Sequence, residues 1–229
     1  MDYINKLWYG ADVFSKPWRT VNWMSKKELE DSVKNIKPSN SDIGNVRILL
    51  HGVVGSGKSS FINSLNSVFA QRVITKVRAA PSAATSCTKI YKGHVIKIPS
   101  GTLGITIADF MGLEEKEHNI HLDDLRNALH GHLPDGYELT GNKPLSSDDP
   151  RYIKNPSDAE KTHCLVCVVS ANSISRMLPA TTDKMKSHLE EASKLGIPRA
   201  VLMTMGDMLC PAVKWDVKSI YMSKAIKTK

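Results

Sequence analysis

Acidic residues are absent from a long central stretch of the chain, because no Asp or Glu occurs from Ile43 through Ala108. The formal net charge of +8 comes from this acid-free stretch, since the remaining 23 basic residues of the chain balance the 23 acidic ones. A long stretch of one sign favours a polyanionic ligand. Its eight basic residues are Arg47, Lys58, Arg72, Lys76, Arg78, Lys89, Lys92 and Lys97.

Cysteines and long apolar runs are also scarce. The four cysteines (Cys87, Cys164, Cys167 and Cys210) are too few and too scattered for a disulfide framework. No apolar run approaches the roughly 20 residues that a membrane-spanning helix needs. Residues 1–24 also lack the continuous apolar segment of a signal peptide. We therefore expect a soluble, cytoplasmic protein without a membrane span.

One short pattern points to phosphate chemistry. Residues 52–59 read Gly-Val-Val-Gly-Ser-Gly-Lys-Ser and match G-x-x-x-x-G-K-[ST], the phosphate-binding loop. Its glycines let successive backbone N–H groups point into one concavity that holds an anion. Lys58 adds an ammonium group for the terminal phosphates, and the Ser59 hydroxyl is placed to bind Mg²⁺. The predicted phosphate-binding residues are Gly52, Val54, Gly55, Ser56, Gly57, Lys58, Ser59 and Ser60.

The residues around this loop favour the motif over an ordinary glycine-rich turn. Residues 46–51 form a short apolar run typical of a buried parallel strand. Strand, loop and amphipathic helix is the order that places phosphates at the positive end of a helix dipole. The apolar face of the predicted helix consists of Phe61, Ile62, Leu65, Val68 and Phe69.

Two further strands predict an antiparallel hairpin. Residues 89–98 have strand composition, residues 99–102 form a turn, and Leu103, Ile105 and Ile107 alternate into Asp109. A mostly parallel sheet with one such hairpin after the first helix is the Ras-like arrangement. We therefore predict a three-layer α/β P-loop NTPase fold, a Ras-like G domain with sheet order 2-3-1-4-5 that lacks the last strand.

Candidate Mg²⁺ ligands lie before and at the end of this hairpin. Asp109 ends a strand beside the loop, where an Asp that organises Mg²⁺ must lie. The alternative is that Asp109 only caps the segment that follows. Gly112 offers a backbone N–H to the terminal phosphate. Residues 79–87 resemble a mobile loop, and we expect Thr85 or Thr88 to close over the terminal phosphate and its metal.

The guanine-recognition pattern [NT]-K-x-D is matched only in part. Residues 199–204 predict a strand leading into Thr204, and Asp207 is expected to accept two hydrogen bonds from guanine. Met205 replaces the lysine of the pattern, and Leu113 stands where Ras-like enzymes carry a water-positioning glutamine. We predict a site for GTP and Mg²⁺ with slow or absent hydrolysis, so enzymatic activity beyond a weak GTPase is not expected.

The chain divides into three predicted parts. Residues 1–42 form an arm and a capped helix that pack on the main domain. Residues 43–213 form the GTPase-like domain, with a surface insert at about 134–160. Residues 214–229 form a basic tail with no further strand. The arm holds the aromatic residues Trp8, Tyr9, Phe14, Trp18 and Trp23.

Together these residues resemble the interferon-induced protein 44 family. The resemblance rests on Phe14-Ser-Lys-Pro-Trp-Arg19, Asn22-Trp23, Val46–Leu65 and Asp109-Phe-Met-Gly-Leu113. It implies a P-loop GTPase-like domain, GTP binding, a cytoplasmic location, interferon induction and a role in antiviral immunity. The chain departs from the family pattern at Met205, and we expect it to stop before the final strand and helix of the family's domain.

Two other functions compete with a GTP-binding switch. One is a non-enzymatic interaction module of innate immunity, with unknown protein partners, whose nucleotide site is structural or degenerate. The other is a nucleic-acid binder that uses the acid-free stretch. Nucleic acid is less favoured because the sequence contains no recognisable recognition helix, RNA-binding signature or zinc finger.

Overall fold

The computed structural model describes residues 13–36, 38, 40, 43–75, 77, 89–113, 120–140 and 143–229. Among these residues, five strands form one sheet in the order β2-β3-β1-β4-β5, in which only β2 runs antiparallel to its neighbour. The predicted mostly parallel sheet and its order are therefore confirmed. The strands are β1 Val46–Gly52, β2 Lys92–Ile98, β3 Gly101–Asp109, β4 Cys164–Ser170 and β5 Arg199–Thr204.

Helices cover both faces of the sheet. On one face, Ile62 and Phe69 of the helix after β1 pack against Leu50. On the other face, two helices bury side chains such as Leu125 and Met185. The helices are α1 Lys26–Lys34, α2 Lys58–Phe69, α3 Leu122–His130, α4 Pro179–Lys194, α5 Gly206–Leu209, α6 Pro211–Trp215 and α7 Lys224–Lys227, with 3₁₀ turns at Ile174–Arg176 and Val217–Met222.

The hairpin differs from the prediction in its turn and at the start of β2. Gly101 pairs with Ile98, so the turn is shorter than the predicted residues 99–102. Strand β2 also begins later than residue 89, because the backbone there pairs with the insert instead. The N–H of Tyr91 donates to the carbonyl of Tyr137 at 2.8 Å, and the N–H of Leu139 donates to the carbonyl of Lys89 at 2.7 Å.

The insert contributes to the core as well as to the surface. Leu139 and Leu145 are 3% and 4% exposed and belong to the same apolar cluster as α3. The carboxyl group of Asp124 on α3 accepts a hydrogen bond from the N–H of Leu145 at 2.9 Å. This segment is therefore packed on one face of the sheet.

The N-terminal arm lies against the C-terminal tail. The N–H of Phe14 donates to the carbonyl of Met222 at 2.7 Å, and the ring of Trp18 meets that of Tyr221 edge-on with centroids 5.0 Å apart. The predicted capping box of α1 is present, because Ser25 and Glu28 exchange hydrogen bonds. Trp8 and Tyr9 lie outside the described residues.

Within the described part of the chain, none of the helices has the length and apolarity to cross a membrane.

Candidate functional site

The loop between β1 and α2 begins at a position where only glycine fits. Gly52 has φ 149°, and a Cβ there would lie 2.1 Å from the carbonyl oxygen of Val168 on the neighbouring β4. Gly55 and Gly57 have φ 75° and 93°, in the left-handed region that glycine reaches without strain. The glycine spacing of the motif thus follows from the close approach of two parallel strands and from the sharp turn into α2.

Lys58 is folded into this loop. Its side chain is 6% exposed overall, and its Nζ donates to the carbonyl oxygens of Gly52 at 3.1 Å and Val53 at 3.2 Å. Burial lowers the pKa of Lys58 to about 8, although the nearby Asp109 carboxylate acts in the opposite direction. The loop therefore contains a buried ammonium group, and a bound anion would stabilise its charged form.

The start of α2 and the end of β3 meet beside the loop. The hydroxyl of Ser59 donates to Oδ2 of Asp109 at 3.3 Å, and Asp109 is 1% exposed. A hydroxyl and a carboxylate are the oxygen ligands that a hard cation such as Mg²⁺ prefers. The first turn of α2 carries no acidic residue, so its positive end remains suited to an anion. Two of the residues that the sequence assigns to Mg²⁺, Ser59 and Asp109, therefore lie side by side.

The other predicted phosphate contacts lie around the same loop. Gly55 and Ser60 are exposed, whereas Ser56 is 2% exposed and its hydroxyl has no hydrogen-bond partner among the described residues. Gly112 lies against Val54, and a Cβ at Gly112 would be 3.0 Å from the Val54 backbone nitrogen. Thr85 and Thr88, predicted to close over the terminal phosphate, fall outside the described residues.

The predicted base-recognition residues follow β5. The hydroxyl of Thr204 donates to the carbonyl of Ser56 at 2.7 Å and lies 3.2 Å from the carbonyl of Val169. Met205 adopts φ 56°, and its sulfur accepts a hydrogen bond from the hydroxyl of Ser170 at 3.3 Å. Asp207 is exposed in the first turn of α5. Thr204 thus contacts the phosphate loop directly, and Asp207 is open to a ligand.

A buried histidine pair near the loop was not predicted from the sequence. Nδ1 of His188 on α4 lies 3.0 Å from Nε2 of His51 on β1, and the residues are 3% and 0% exposed. Burial is the main cause that lowers the pKa of both rings, that of His188 to about 4. Lys58 also lowers the pKa of His51. The pair is therefore neutral near neutral pH and places no second cation beside Lys58.

Comparison with known proteins identifies homologues along most of the chain. Mouse interferon-induced protein 44 is 32% identical over 203 residues, which are 88% of this chain and 48% of that protein. Human interferon-induced protein 44-like is 32% identical over 185 residues, which are 80% of this chain and 41% of that protein. The human interferon-induced protein 44 is 29% identical over 206 residues, or 89% of this chain and 46% of that protein. The chain spans about half the length, or somewhat less, of these curated relatives.

More distant comparisons add little. No protein-family model matches the sequence. A solved structure from Thermus thermophilus aligns over 76% of this chain and 22% of its own, at 16% identity and a TM-score of 0.41, and this likeness carries no argument. The interferon-induced relatives, in contrast, are similar enough to support a conclusion. The resemblance seen in the sequence is confirmed, because 80–89% of this chain is homologous to interferon-induced protein 44 and to interferon-induced protein 44-like.

Proposed function

We propose that the chain is a cytoplasmic protein, induced by interferon and acting in the innate antiviral response, which binds guanine nucleotides with Mg²⁺ and hydrolyses GTP weakly or not at all. The names of its relatives support the link to interferon. The phosphate loop and its surroundings support the nucleotide.

One observation carries the nucleotide proposal. At the end of the loop, the hydroxyl of Ser59 and the carboxylate of Asp109 are 3.3 Å apart, beside an ammonium group that is buried within the loop. This arrangement combines oxygen ligands for a hard cation with a positive charge for phosphate. The Ser56 hydroxyl adds to it, because a buried hydroxyl without a partner is costly and a phosphate oxygen would satisfy it.

Guanine is favoured as the base by Asp207. Its carboxylate is exposed after β5, where it is free to accept from the two N–H donors of a guanine edge. Met205 supplies a thioether in place of the charged lysine of the usual pattern, and a thioether packs on an aromatic ring without a charge. We therefore propose that the site prefers guanine to adenine, but less strongly than proteins with the full pattern do.

Weak hydrolysis is proposed because, in the part of the chain that the structure describes, the position of the water-orienting glutamine carries an apolar side chain. Leu113 occupies that position and is 1% exposed, within the apolar cluster beneath the sheet. Phosphoryl transfer depends on positioning and on charge stabilisation, and the described residues supply candidates for charge stabilisation only.

Titration with GTP and ATP in Mg²⁺ tests the proposal. We expect Lys58→Ala to weaken GTP binding by about 10-fold to 100-fold, because a charge-assisted hydrogen bond is worth roughly 1.5–3 kcal/mol. Lys97→Ala is the matched control, since Lys97 is an exposed lysine of the same acid-free stretch at the end of the hairpin remote from Asp109. The control should bind GTP like the wild type.

Other outcomes identify the competing functions. Equal and weak GTP binding by the wild type and Lys58→Ala would eliminate the nucleotide-binding proposal and favour a non-enzymatic interaction module. Salt-dependent binding of RNA that survives Lys58→Ala would instead favour a nucleic-acid binder.

A further inference from the structure

The segment after β3 is paired with the phosphate loop along its backbone. The N–H of Val54 donates to the carbonyl of Leu113 at 3.0 Å, and the N–H of Leu113 donates to the carbonyl of Gly52 at 3.0 Å. Val53 and Leu113 therefore form an isolated parallel bridge. We call Gly112 and Leu113 the latch, because the two backbone bonds of Leu113 fasten this segment to the beginning of the loop.

Packing reinforces the latch at both of its residues. At Gly112, a Cβ would lie 2.8 Å from Cγ2 of Val54 and 3.0 Å from its Cα and nitrogen, so the two backbones are in close contact. The Leu113 side chain is 1% exposed and lies in the apolar cluster that includes Leu49 and Phe110. Opening the latch would require breaking two backbone hydrogen bonds and withdrawing a buried leucine.

The latch lies where a terminal phosphate would have to enter. A phosphate held by N–H groups of the loop and of Gly112 must lie between them, and donors on opposite sides of a phosphate are roughly 6 Å apart at normal hydrogen-bond lengths. In this structure the two residues are packed more closely than that, since a Cβ at Gly112 would lie only 3.0 Å from the Val54 nitrogen, and the N–H of Val54 already donates to Leu113. The backbones of Lys58 and Ser59 lie at the other end of the loop, at the start of α2. The latch is joined to Lys58 through the Gly52 carbonyl, which accepts from both the Lys58 ammonium and the N–H of Leu113.

We infer that the site binds nucleoside diphosphates more tightly than nucleoside triphosphates. This inference rests on the proposed function. A diphosphate binds at the α2 end of the loop with the latch closed. A triphosphate binds only after the latch has opened, and its affinity is reduced by the cost of opening. The cost of breaking two backbone hydrogen bonds corresponds to a preference of about 10-fold to 100-fold for the diphosphate. Withdrawing the buried Leu113 side chain would increase this preference.

Two substitutions at the latch give this inference its sharpest test. Gly112→Ala places a methyl group against the backbone of Val54 and should hold the latch open. The backbone of Gly112 lies outside the left-handed region, so its φ angle does not disfavour alanine, and the conflict is the contact with Val54. The affinity for GTP should then rise about tenfold relative to that for GDP. If Gly112 instead served only to donate its N–H to the terminal phosphate, the same substitution would weaken GTP selectively.

Leu113→Ala is the second variant, because it removes the buried side chain that anchors the latch. It should also raise GTP affinity relative to GDP. Gly44→Ala is the matched control, since a Cβ there meets nothing within 4 Å. This variant should keep the wild-type ratio of the two affinities. Thermal unfolding of each variant checks that it is folded.

The measurement is competition of unlabelled GDP and GTP against a fluorescent GDP on the full chain with Mg²⁺. Tighter binding of GDP by the wild type, with a reduced preference in both latch variants, is the expected result. Binding of GTP at least as tightly as GDP by the wild type would overturn the inference and leave the proposed function standing. A selective loss of GTP binding in Gly112→Ala would also overturn it. Failure of the wild type to bind either nucleotide would overturn both proposals.

Discussion

The hydroxyl of Thr204 donates a 2.7 Å hydrogen bond to the backbone carbonyl of Ser56. This bond joins the last residue of β5 to the phosphate loop that follows β1, across a separation of 148 residues in sequence. The sequence pattern assigns Thr204 to the base, and the structure adds a contact with the loop. The base side and the phosphate side of the candidate site are therefore physically connected.

Thr204→Val tests this connection. Valine keeps the shape but removes the donor to Ser56, so we expect the free energy of unfolding to fall by about 1–2 kcal/mol. Nucleotide affinity should weaken for GTP and ATP alike, because the loop is less firmly held. Urea denaturation and nucleotide titration measure the two effects. Thr204→Ser keeps the hydroxyl and should resemble the wild type. A loss of discrimination between the two bases at unchanged stability would contradict a role in holding the loop.

Asp109→Asn tests the metal site. An asparagine oxygen can still accept the hydrogen bond from Ser59, but it lacks the charge that attracts a hard cation. We expect wild-type affinity for GDP to fall at least about tenfold when Mg²⁺ is chelated, and the variant to show no such dependence. Asp183→Asn removes a carboxylate that is 73% exposed on α4 and serves as control. Full Mg²⁺ dependence in Asp109→Asn would show that Asp109 only caps the following segment.

The buried histidine pair predicts a loss of stability in mild acid. The pKa of His188 is lowered to about 4, and that of His51 lies well below its usual value of 6.5. Below about pH 6.5 the unfolded chain binds protons that the folded chain does not, so the free energy of unfolding falls as the pH drops toward 4.

The slope should approach about 1.4 kcal/mol per pH unit for each histidine of the pair. Urea titrations between neutral pH and about pH 5 measure it. His188→Leu removes one of the two groups and should reduce the contribution of the pair by about half. An unchanged slope in this variant would mean that the pair does not control the acid response.

The lowered pKa of Lys58 predicts that the protein takes up protons when it binds nucleotide. Burial lowers its pKa to about 8, and a bound phosphate stabilises the ammonium form, so the pKa rises in the complex. Affinity should therefore fall as the pH rises above 8, by up to about tenfold per pH unit. Calorimetry in buffers of different ionisation enthalpy measures the uptake. Lys58→Arg stays charged and should remove the pH dependence. Affinity that is constant through this range in the wild type would contradict the assignment.

Local sequence patterns are sufficient for most of the sheet. Strand β5 has the predicted bounds, because residues 200–204 form a continuous apolar or β-branched run. The placement of Asp109 beside Ser59 also follows from the sequence, since parallel strands bring their carboxyl ends to one edge of the sheet.

Contacts between distant segments could not be predicted in this way. His51 and His188 are 137 residues apart, and neither lies in a sequence pattern that indicates a contact with the other. The pairing of residues 89–91 with the insert likewise depends on where a long irregular segment returns to the sheet. The latch could not be predicted for the same reason. In the sequence, Leu113 is notable only because it occupies the position where Ras-like enzymes carry a glutamine.

Equilibrium dialysis against an equimolar mixture of GDP and ADP with Mg²⁺ tests the central claim most directly. The account predicts that the wild type retains mostly GDP and approaches one nucleotide per chain at a ligand concentration of about ten times its Kd. At the same concentration Lys58→Ala, whose affinity is about 10-fold to 100-fold weaker, should retain about one half to one tenth as much. Equal retention by the two proteins, or as much adenine as guanine nucleotide on the wild type, would contradict a guanine-nucleotide site built on this loop.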